Sequence, residues 1–432
     1  MKGDFSIKRT VCKNGMVVLT QHTPHFNGAA ALFRFGAGSS QEEGSDAWGT
    51  AHFLEHMVFQ GTKQKNHDRL MTDLARVGAS ANAATGFDAT VYELTAPADT
   101  LPQALDIMGE MLSGFALDPE AVARERDIIL EELRMTRDDP AAWGEDCLYH
   151  LVLGDFGHPI LGTEASLPKL DRSRLRKFAD DFYTPDNLIV SIVGNIDQSA
   201  VLDSVERWFT DKKQTEGRAE RQRLADGRAK GGQRNGEQAG PEVSKGGHPK
   251  RLHVSDENEQ EHLLLGFSAP ALTDKALPVL DILSLILGGD SWSRLFRKVR
   301  NELGLAYSVG GFYSGWKERG IYGIQSATHS DQAAQLLAAI RQEIESIRTN
   351  VTDDELALAK ATLKANLLFQ SDQVMWRAER MMQNEAVFGR VRELTEDVES
   401  IEAATREQVI DLARSMLDEE QESIVTVGKV EL

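Results

Sequence analysis

Apolar residues along the first half of the chain fall into runs that predict alternating strands and helices. Strand-like runs cover Met16–Gln21, Ala29–Phe35 and Thr90–Ala96. Apolar positions with helical spacing follow at Ala104–Leu112 and again from Ala121 to about Met135. Strands that alternate with helices in this way indicate a mixed sheet covered by helices.

The second half repeats this order of elements. Strand-like runs at His262–Ser268 and Ile321–Ala327 precede helical patterns at Ala333–Ile347 and from Leu356 to about Phe369. In both halves the last of these helices begins at an Asp or Thr that is soon followed by Glu, which is the pattern of a helix N-cap. We therefore predict an α+β fold of two homologous repeats, each a mixed, mostly antiparallel sheet covered by helices.

Residues 211–251 interrupt this pattern, because they contain eight glycines and only two sizeable apolar residues, Leu224 and Val243. Such a segment cannot bury enough apolar surface to offset the entropy of ordering, so it predicts a flexible linker. Its eleven basic and six acidic residues make it basic, and a tail for an anionic partner is the alternative interpretation. The chain then divides into an N-terminal domain, 1–210, and a C-terminal domain, 252–432.

Length and charge exclude several functional classes. The chain has 432 residues, with 48 Lys and Arg against 67 Asp and Glu, which gives a net charge of −19. A polyanion is a poor partner for nucleic acid, because phosphate binding needs a dense basic surface. The longest apolar runs, such as Leu283–Leu287, are far shorter than the ~20 residues of a membrane span. The first ten residues lack the apolar segment of a secretion signal, so we predict a cytoplasmic protein.

Cys12 and Cys147 are the only two cysteines, which excludes a disulfide framework and a zinc cluster built from thiolates. One bridge between the two stays open at this point. Two reduced thiols in a reducing compartment are the interpretation that we favour.

The clearest chemical signal is the sequence His52-Phe53-Leu54-Glu55-His56. On a helix, histidines four positions apart lie on one face, where both imidazoles can bind one metal ion. Glu55 borders the same face, where a carboxylate can take a proton from a water molecule on the metal. The order His-x-x-Glu-His is the reverse of the His-Glu-x-x-His arrangement of zinc proteases. The alternative is a helix with two histidines beside an acid and no metal.

A catalytic zinc site needs at least three protein ligands, so one must come from elsewhere. The helix predicted from Ala121 to about Met135 carries Glu125 and Glu132 two helical turns apart, and therefore on one face. We predict that this face points inward, because Ile128 and Ile129 share it. Buried carboxylates are costly unless they are paired or bind a metal. Ion pairs with nearby arginines are the alternative, and Glu131, on a different face, is predicted to be solvated or salt-bridged.

The corresponding helix of the second half carries neither of these carboxylates. An ungapped alignment of the two helices places Lys360 opposite Glu125 and Leu367 opposite Glu132. The repeats therefore share a fold plan without sharing these acids, and we predict one metal site per chain.

These residues resemble the motifs of the pitrilysin-like (M16, inverzincin) family of zinc metallopeptidases, in particular its half-size bacterial members and the subunits of mitochondrial processing peptidase. The resemblance rests first on His-Phe-Leu-Glu-His followed 76 residues later by Glu132. It covers nearly the whole chain outside residues 211–251. Further matching segments are Gly38-Ser39 with Glu42-Glu43, Asn82-Ala83, Gly86-Phe87-Asp88, and Arg300 through Tyr307.

The resemblance implies a role for each residue of the motif. His52, His56 and Glu132 would bind a zinc ion, one per chain. Glu55 would be the general base that deprotonates the water on the zinc. Glu125 would be an outer acid that orients a ligand histidine, and such partners fix the tautomer of the ring.

The resemblance also implies groups that bind the substrate. Asn82 and Ala83 would present the backbone of an edge strand to a peptide. Arg300 and Tyr307 would bind the substrate or stabilise the oxyanion from the second domain, since a tetrahedral intermediate needs hydrogen-bond donors. Apart from the resemblance, a surface cation and a core aromatic are the simpler interpretations of these two residues.

Together, these implications describe a zinc-dependent endopeptidase of the LuxS/MPP-like fold class that hydrolyses short or unfolded peptides. A half-size chain that carries both the zinc motif and the Arg/Tyr motif implies a homodimer, and a heterodimer with another M16 chain stays open. The alternative function is a non-catalytic structural or partner subunit of an M16 peptidase or complex.

Overall fold

The computed structural model describes residues 7–209 and 250–432, and the structural statements below concern these residues. The predicted linker, 211–251, lies outside them except for Lys250 and Arg251, which begin a strand.

Six strands form the first sheet. They are β1 (Ile7–Val11), β2 (Val17–His22), β3 (Gly28–Phe35), β4 (Ser80–Thr85), β5 (Thr90–Pro97) and β6 (Leu188–Gly194). Their order across the sheet is β1-β2-β6-β3-β5-β4, with β2 and β6 parallel and the other neighbours antiparallel. Strand β4 therefore lies at one edge of the sheet and, among the described strands, pairs with β5 alone.

Five strands form the second sheet. They are β7 (Lys250–Ser255), β8 (Gln260–Ala269), β9 (Val309–Gly315), β10 (Gly320–His329) and β11 (Ser423–Gly428). Their order is β7-β11-β8-β10-β9, with β7 and β11 parallel and the other neighbours antiparallel. With β1 set aside, the two sheets have the same strand order and orientations. The predicted fold of two homologous repeats is confirmed.

Helices connect these strands in both halves. In the first half they are α1 (Thr50–Phe59), α2 (His67–Arg76), α3 (Leu101–Gly114), α4 (Pro119–Asp138), α5 (Pro140–Leu153), α6 (Arg172–Phe182) and α7 (Gln198–Phe209). In the second half they are α8 (Leu277–Ser284), α9 (Ala333–Thr349), α10 (Asp353–Gln370), α11 (Val374–Phe388), α12 (Leu394–Ala403) and α13 (Arg406–Met416). Helices α3, α4, α9 and α10 lie where the apolar spacing predicted them.

Side chains begin α4 and α10 at the predicted positions. Asp118 Oδ2 accepts hydrogen bonds from the backbone N–H groups of Glu120 (3.0 Å) and Ala121 (3.1 Å). Thr352 and Glu355 form a reciprocal capping box before α10. These contacts satisfy backbone donors that have no partner within the helix.

The two caps shift the alignment of the repeats by one residue. The sequence alignment matched Asp118 with Asp353, whereas the residue that takes the place of Asp118 at the start of α10 is Thr352. The cap rather than the nearest acid therefore sets the register between the two helices.

In the corrected register, Glu125 corresponds to Ala359, one residue before its predicted counterpart. Glu132 corresponds to Asn366 and is shifted in the same way. Glu125 and Ala359 are both buried, which supports this register. Neither position of α10 carries an acid, so the predicted absence of both carboxylates is unchanged by the correction.

The described residues pack into two compact units. The first unit contains residues 7–127, 164–209 and 374–386, and the second contains 128–163, 250–373 and 387–432. Helix α5 thus belongs to the second unit although it lies in the first half of the chain, and most of α11 belongs to the first unit. Helix α4 is continuous across the division between Asp127 and Ile128. The domain boundaries drawn from the sequence stay a prediction.

Strand β8 explains the continuous apolar run of the second half. Leu263 and Leu265 pack in the larger core of the second unit, whereas Leu264 packs in a smaller core that includes Leu148 of α5. Burial of both faces of a strand removes the usual alternation of apolar and polar residues. Gly266 allows α5 to approach, because a Cβ atom there would lie 2.8 Å from the Leu148 side chain.

None of the described helices combines the length and the apolar composition that a membrane crossing requires. Cys12 and Cys147 are both free thiols, as we favoured, while the reducing compartment stays a prediction. Burial, with a smaller contribution from Glu206, raises the pKa of the Cys12 thiol to about 12, so this thiol stays protonated.

Candidate metal centre

Helix α1 carries the His-Phe-Leu-Glu-His sequence, as predicted, and its start is held by Glu42. The helix follows Gly49, whose φ of 93° lies in the left-handed region that favours glycine. Glu42 accepts hydrogen bonds from the backbone N–H groups of Gly49 (2.9 Å) and Ala51 (2.8 Å). A carboxylate at this end of a helix satisfies free donors and interacts favourably with the helix dipole. The sequence placed Glu42 in a loop and did not predict this contact.

His52 and His56 lie on the same face of α1, with their ring centroids 4.6 Å apart. His52 is buried, whereas His56 is partly exposed. Burial, together with the charge of His56, lowers the pKa of His52 to about 3. His52 is therefore neutral at physiological pH, which is the form of imidazole that binds a metal ion.

Glu125 of α4 contacts the second histidine of the motif. His56 Nδ1 lies 3.0 Å from Glu125 Oε2, and Glu125 is only 5% exposed. With Nδ1 as the hydrogen-bond donor, Nε2 of His56 is the ring nitrogen that faces a metal. The structure therefore pairs Glu125 with His56, which is the geometry that the predicted orienting role requires.

Glu132 lies beside both histidines. One ligand atom from each of His52, His56 and Glu132 falls within 4.8 Å of the others. Zinc bonds of about 2.0–2.2 Å place tetrahedral ligand atoms about 3.3–3.6 Å apart, so the observed group lies within about 1.5 Å of that spacing. Two imidazoles and a carboxylate are also a donor set found in catalytic zinc sites. The three residues therefore fit a zinc ion.

The faces of α4 agree with the prediction except at Ile128. Glu125 and Ile129 are buried, but Ile128 is 52% exposed, so its predicted inward position is wrong. At helical spacing, Ile128 and Ile129 lie about 60° and 40° to opposite sides of Glu125, and at this turn of the helix Ile129 is covered and Ile128 is not. Glu131 is exposed and lies 3.0 Å from Arg134, as expected for a salt-bridged surface residue.

Glu55, the predicted general base, is buried in α1 and accepts a hydrogen bond from a residue that the sequence did not single out. Thr85 Oγ1, at the end of β4, lies 2.6 Å from Glu55 Oε2. Thr85 is 30 positions from Glu55 along the chain, and no local sequence pattern marks such a contact. Only the pairing of β4 with β5 and the packing of α1 against β4 bring the two together.

Two buried tyrosines lie near Glu55. The hydroxyl groups of Tyr92 and Tyr183 are 2.9 Å apart. Burial above all, with a smaller contribution from the charge of Glu55, raises the pKa of both tyrosines well above the usual value. Both phenols are therefore neutral. The groups that Tyr92 and Tyr183 place near Glu55 are hydroxyl groups rather than a second negative charge.

Asn82 and Ala83 lie in the edge strand β4. Ala83 pairs with Tyr92 and Asn82 pairs with Glu93 on the inner side of the strand. Exposure alternates along β4, with Asn82 exposed and Ala83 partly buried. No other described strand pairs with the outer side of β4. The backbone is thus in the position that the prediction requires, while its role in binding stays a prediction.

The turn after β4 is bound to the loop that precedes α1. The backbone N–H of Ser39 donates to Gly86 O (3.1 Å), and that of Ser40 donates to Phe87 O (2.8 Å). Gly38 is required for this approach, because a Cβ atom there would lie 2.1 Å from Gly86 O. The two matching segments of the sequence, Gly38-Ser39 and Gly86-Phe87-Asp88, are therefore in direct contact.

Arg300 and Tyr307 lie together in the second unit. The guanidinium carbon of Arg300 is 4.4 Å from the centroid of the Tyr307 ring and 4.9 Å from that of Phe296. Tyr307 is 81% exposed, so it is not a core aromatic. A catalytic or binding role for this pair stays a prediction.

Comparison with known proteins agrees with this geometry. The family model described as Insulinase (Peptidase family M16) matches residues 17–157, and the one described as Peptidase M16 inactive domain matches residues 169–363. An uncharacterised zinc protease of Bacillus subtilis is 32% identical over 96% of both chains, and one of Rickettsia bellii is 30% identical over 94% of this chain and 93% of the other.

Solved structures share the fold. A protease from Helicobacter pylori superposes with a TM-score of 0.86 at 20% identity, covering 98% of this chain and 99% of the other. A peptidase M16 inactive domain from Pseudomonas fluorescens gives a TM-score of 0.84 at 19% identity and covers 98% of both chains.

Proposed function

The chain belongs to the M16 family of peptidases, and we propose that it is a zinc-dependent endopeptidase that hydrolyses short or unfolded peptides. The observation that carries this proposal is the convergence of His52, His56 and Glu132 next to the buried carboxylate of Glu55. The relatives named zinc proteases support the metal and the reaction class.

The chain supplies the groups that handle the proton. A zinc ion held by the three ligands would supply Lewis-acid chemistry, acidifying a water molecule and polarising the peptide carbonyl. Glu55 accepts the proton of that water and later passes it to the nitrogen of the leaving amine. Glu125 keeps the ring of His56 in one orientation through the 3.0 Å contact at Nδ1.

The edge of β4 gives the substrate its extended shape. A peptide that pairs with Asn82 and Ala83 forms main-chain hydrogen bonds that do not depend on its side chains. Only a chain segment free of its own secondary structure can pair in this way. We therefore propose that the substrates are short or unfolded peptides, and that folded proteins are poor substrates.

Two further parts of the proposal concern the second unit and the assembly. Arg300 and Tyr307 carry donors suited to a substrate carbonyl or to the developing oxyanion. We expect the active form to be a homodimer. Light scattering on the purified chain measures its mass directly, and an active monomer would contradict this expectation.

The test is cleavage of a mixture of unstructured peptides of about 15–30 residues, which are too short to fold. The purified chain, loaded with zinc, is compared with and without a chelator, and with the variant Glu55→Gln. We expect cleavage that the chelator abolishes and that falls about 10²–10⁴-fold in Glu55→Gln, while bound zinc is unchanged.

The exposed neighbour Glu43 provides a matched control, since Glu43→Gln removes one carboxylate outside the centre. Equal loss in both variants would contradict the role of Glu55. Bound zinc without any cleavage would support a partner subunit instead of an independent enzyme.

A further inference from the structure

We propose that Thr85 is a positioning residue that holds the general base Glu55 and links it to the strand on which the substrate pairs. This inference rests on the proposed peptidase function. It assigns a specific task to a residue outside the His-x-x-Glu-His sequence.

The contact between the two side chains is short and partly buried. Thr85 Oγ1 donates to Glu55 Oε2 over 2.6 Å, within the ~2.5–2.7 Å range of hydroxyl donors to ionised carboxylates. Such charge-assisted bonds are about twice as strong as bonds between neutral groups. Threonine is also stiff about χ1, so its hydroxyl stays directed at the carboxylate. One oxygen of Glu55 is therefore fixed, which orients the carboxylate.

The backbone on which Thr85 sits is itself held on several sides. Thr85 pairs with Thr90 as the last pair of the β4–β5 hairpin. The Thr90 hydroxyl donates to Ala37 O over 3.0 Å, and Gly86 N–H donates to Ala89 O over 2.8 Å. The hydroxyl of Thr85 is thus a fixed reference point rather than part of a free loop.

The same strand presents both the substrate edge and the hydroxyl. Ala83 and Thr85 are two positions apart, about 7 Å along the strand, and point to the same face. A peptide that pairs with the outer edge at Asn82 and Ala83 is therefore aligned along the strand that also orients Glu55. The strand that aligns the substrate thus also carries the donor that orients the base, and such alignment favours the reaction.

The second sheet shows that the fold alone does not require a hydroxyl at this position. The last pair of the equivalent hairpin, between β9 and β10, is Gly315 with Gly320. The equivalent positions in the first sheet are Thr85 and Thr90. In the second sheet, two glycines therefore close the equivalent hairpin. Among the described residues, that sheet carries no metal cluster. We infer that the hydroxyl of Thr85 serves the chemistry of the metal centre rather than the fold.

The experiment compares Thr85→Val, which keeps the shape and removes the donor, with Thr85→Ser, which keeps the donor. We expect Thr85→Val to lower kcat about 10–100-fold, a part of the full contribution of a general base, with KM changed less than about 3-fold. Thr85→Ser should retain kcat within about 3-fold, since its hydroxyl can still donate. Thr10→Val, in the edge strand β1 on the other side of the sheet, is the matched control and should leave both constants unchanged.

Two further measurements separate positioning from a structural effect. In the Glu55→Gln background, Thr85→Val should cause no further loss of residual activity, because the donor acts through Glu55. Bound zinc and the affinity of Glu55→Gln for an uncleaved peptide should also be the same with Thr or Val at position 85. A loss of peptide affinity of about 10-fold, or a multiplicative loss of activity in the double variant, would overturn the proposal.

Failure of this inference differs from failure of the proposed function. If the unchanged chain cleaves peptides and Thr85→Val cleaves them equally well, the positioning role is wrong and the peptidase stands. If the zinc-loaded unchanged chain cleaves none, both are wrong.

Discussion

The two units have sheets with the same strand order, but the helix that follows the equivalent strand buries polar side chains in one unit and apolar side chains in the other. Helix α1, which follows β3, buries the polar side chains of His52 and Glu55. Helix α8, which follows the equivalent strand β8, buries only apolar residues in its central turns, namely Val279, Leu280, Ile282 and Leu283. The fold therefore does not require polar side chains in the helix at this position. Burying polar groups costs free energy, so their presence in α1 is explained by chemistry rather than by packing.

Helices α4 and α10 differ in the same sense. Glu125 is buried beside His56, and the matching residue of α10 is the buried Ala359. The next residue, Lys360, donates to Glu402 O over 2.7 Å and so stabilises the packing of α10 on α12. Among the described residues, His52, His56 and Glu132 form the one cluster that fits a metal ion. Within the described part of the chain, the second copy of the fold thus lacks a counterpart of this cluster.

The largest effect should follow from removing a metal ligand. We expect Glu132→Gln to weaken zinc binding by more than about 100-fold, beyond the loss caused by outer partners of a ligand. Glu131→Gln is the matched control, because Glu131 is exposed and paired with Arg134. Competition with a chromophoric chelator measures both affinities. Equal zinc affinity in the two variants would place the third ligand elsewhere.

A smaller loss should follow from the residue behind His56. We expect Glu125→Gln to weaken zinc binding about 10–100-fold, since an amide orients the imidazole less strongly than a carboxylate. The exposed residue Glu120 on the same helix provides the control Glu120→Gln. The same chelator competition measures both zinc affinities. Unchanged zinc affinity in Glu125→Gln would show that the contact with His56 does not support metal binding.

A partly buried carboxylate of the second unit, Asp281, should respond to pH. Burial, and secondarily the charge of Asp397, raises the pKa of Asp281 in α8 from 3.8 to about 6. A raised carboxyl pKa stabilises the fold below the unfolded pKa, and this contribution is lost as pH rises through the folded pKa. We expect Asp281→Asn to increase the free energy of unfolding by about 3 kcal/mol at pH 8 and by little at pH 4.

Urea unfolding of Asp281→Asn and of the unchanged chain at both pH values measures this difference. The charge of Asp281 also contributes, after burial, to the raised pKa of Tyr313. A gain of equal size at pH 4 and pH 8 would show that the buried charge is not its cause.

The smallest effect should come from the start of α1. Glu42 accepts two backbone hydrogen bonds there, whereas α8 begins without a side-chain cap. We expect Glu42→Ala to lower the free energy of unfolding by about 1 kcal/mol, as for other lost helix caps. The exposed neighbour gives the control Glu43→Ala, and thermal melting compares the two. Equal melting temperatures would mean that the buried packing of α1 alone fixes its start.

The elements that the sequence predicted are those whose signals are local. Periodic apolar residues indicate α3, α4, α9 and α10, and cap residues mark where two of them begin. The spacing of His52, Glu55 and His56 also follows from one helix, as does the two-turn separation of Glu125 and Glu132. The repeat of the element order was enough to predict two homologous halves.

Errors and omissions arose where neighbours in space decide the outcome. The exposure of Ile128 depends on which side of α4 is covered, and the spacing within the helix does not encode that. The alignment of the repeats slipped by one because it matched the acids Asp118 and Asp353, whereas Thr352 is the capping residue that corresponds to Asp118. The assignment of α5 to the second unit depends on its packing against β8, far along the chain.

The sequence by itself determined the helices and strands that have a clear apolar period, the duplication and the identity of the donor side chains. Tertiary structure alone decided that Glu125 contacts His56 and that Thr85 donates to Glu55. These partners are 69 and 30 positions apart, and neither pair has a periodic signature. Local patterns specify which face of a helix or strand a side chain occupies. The partner it meets there depends on how the elements pack, because burial and hydrogen bonding are satisfied over the whole fold.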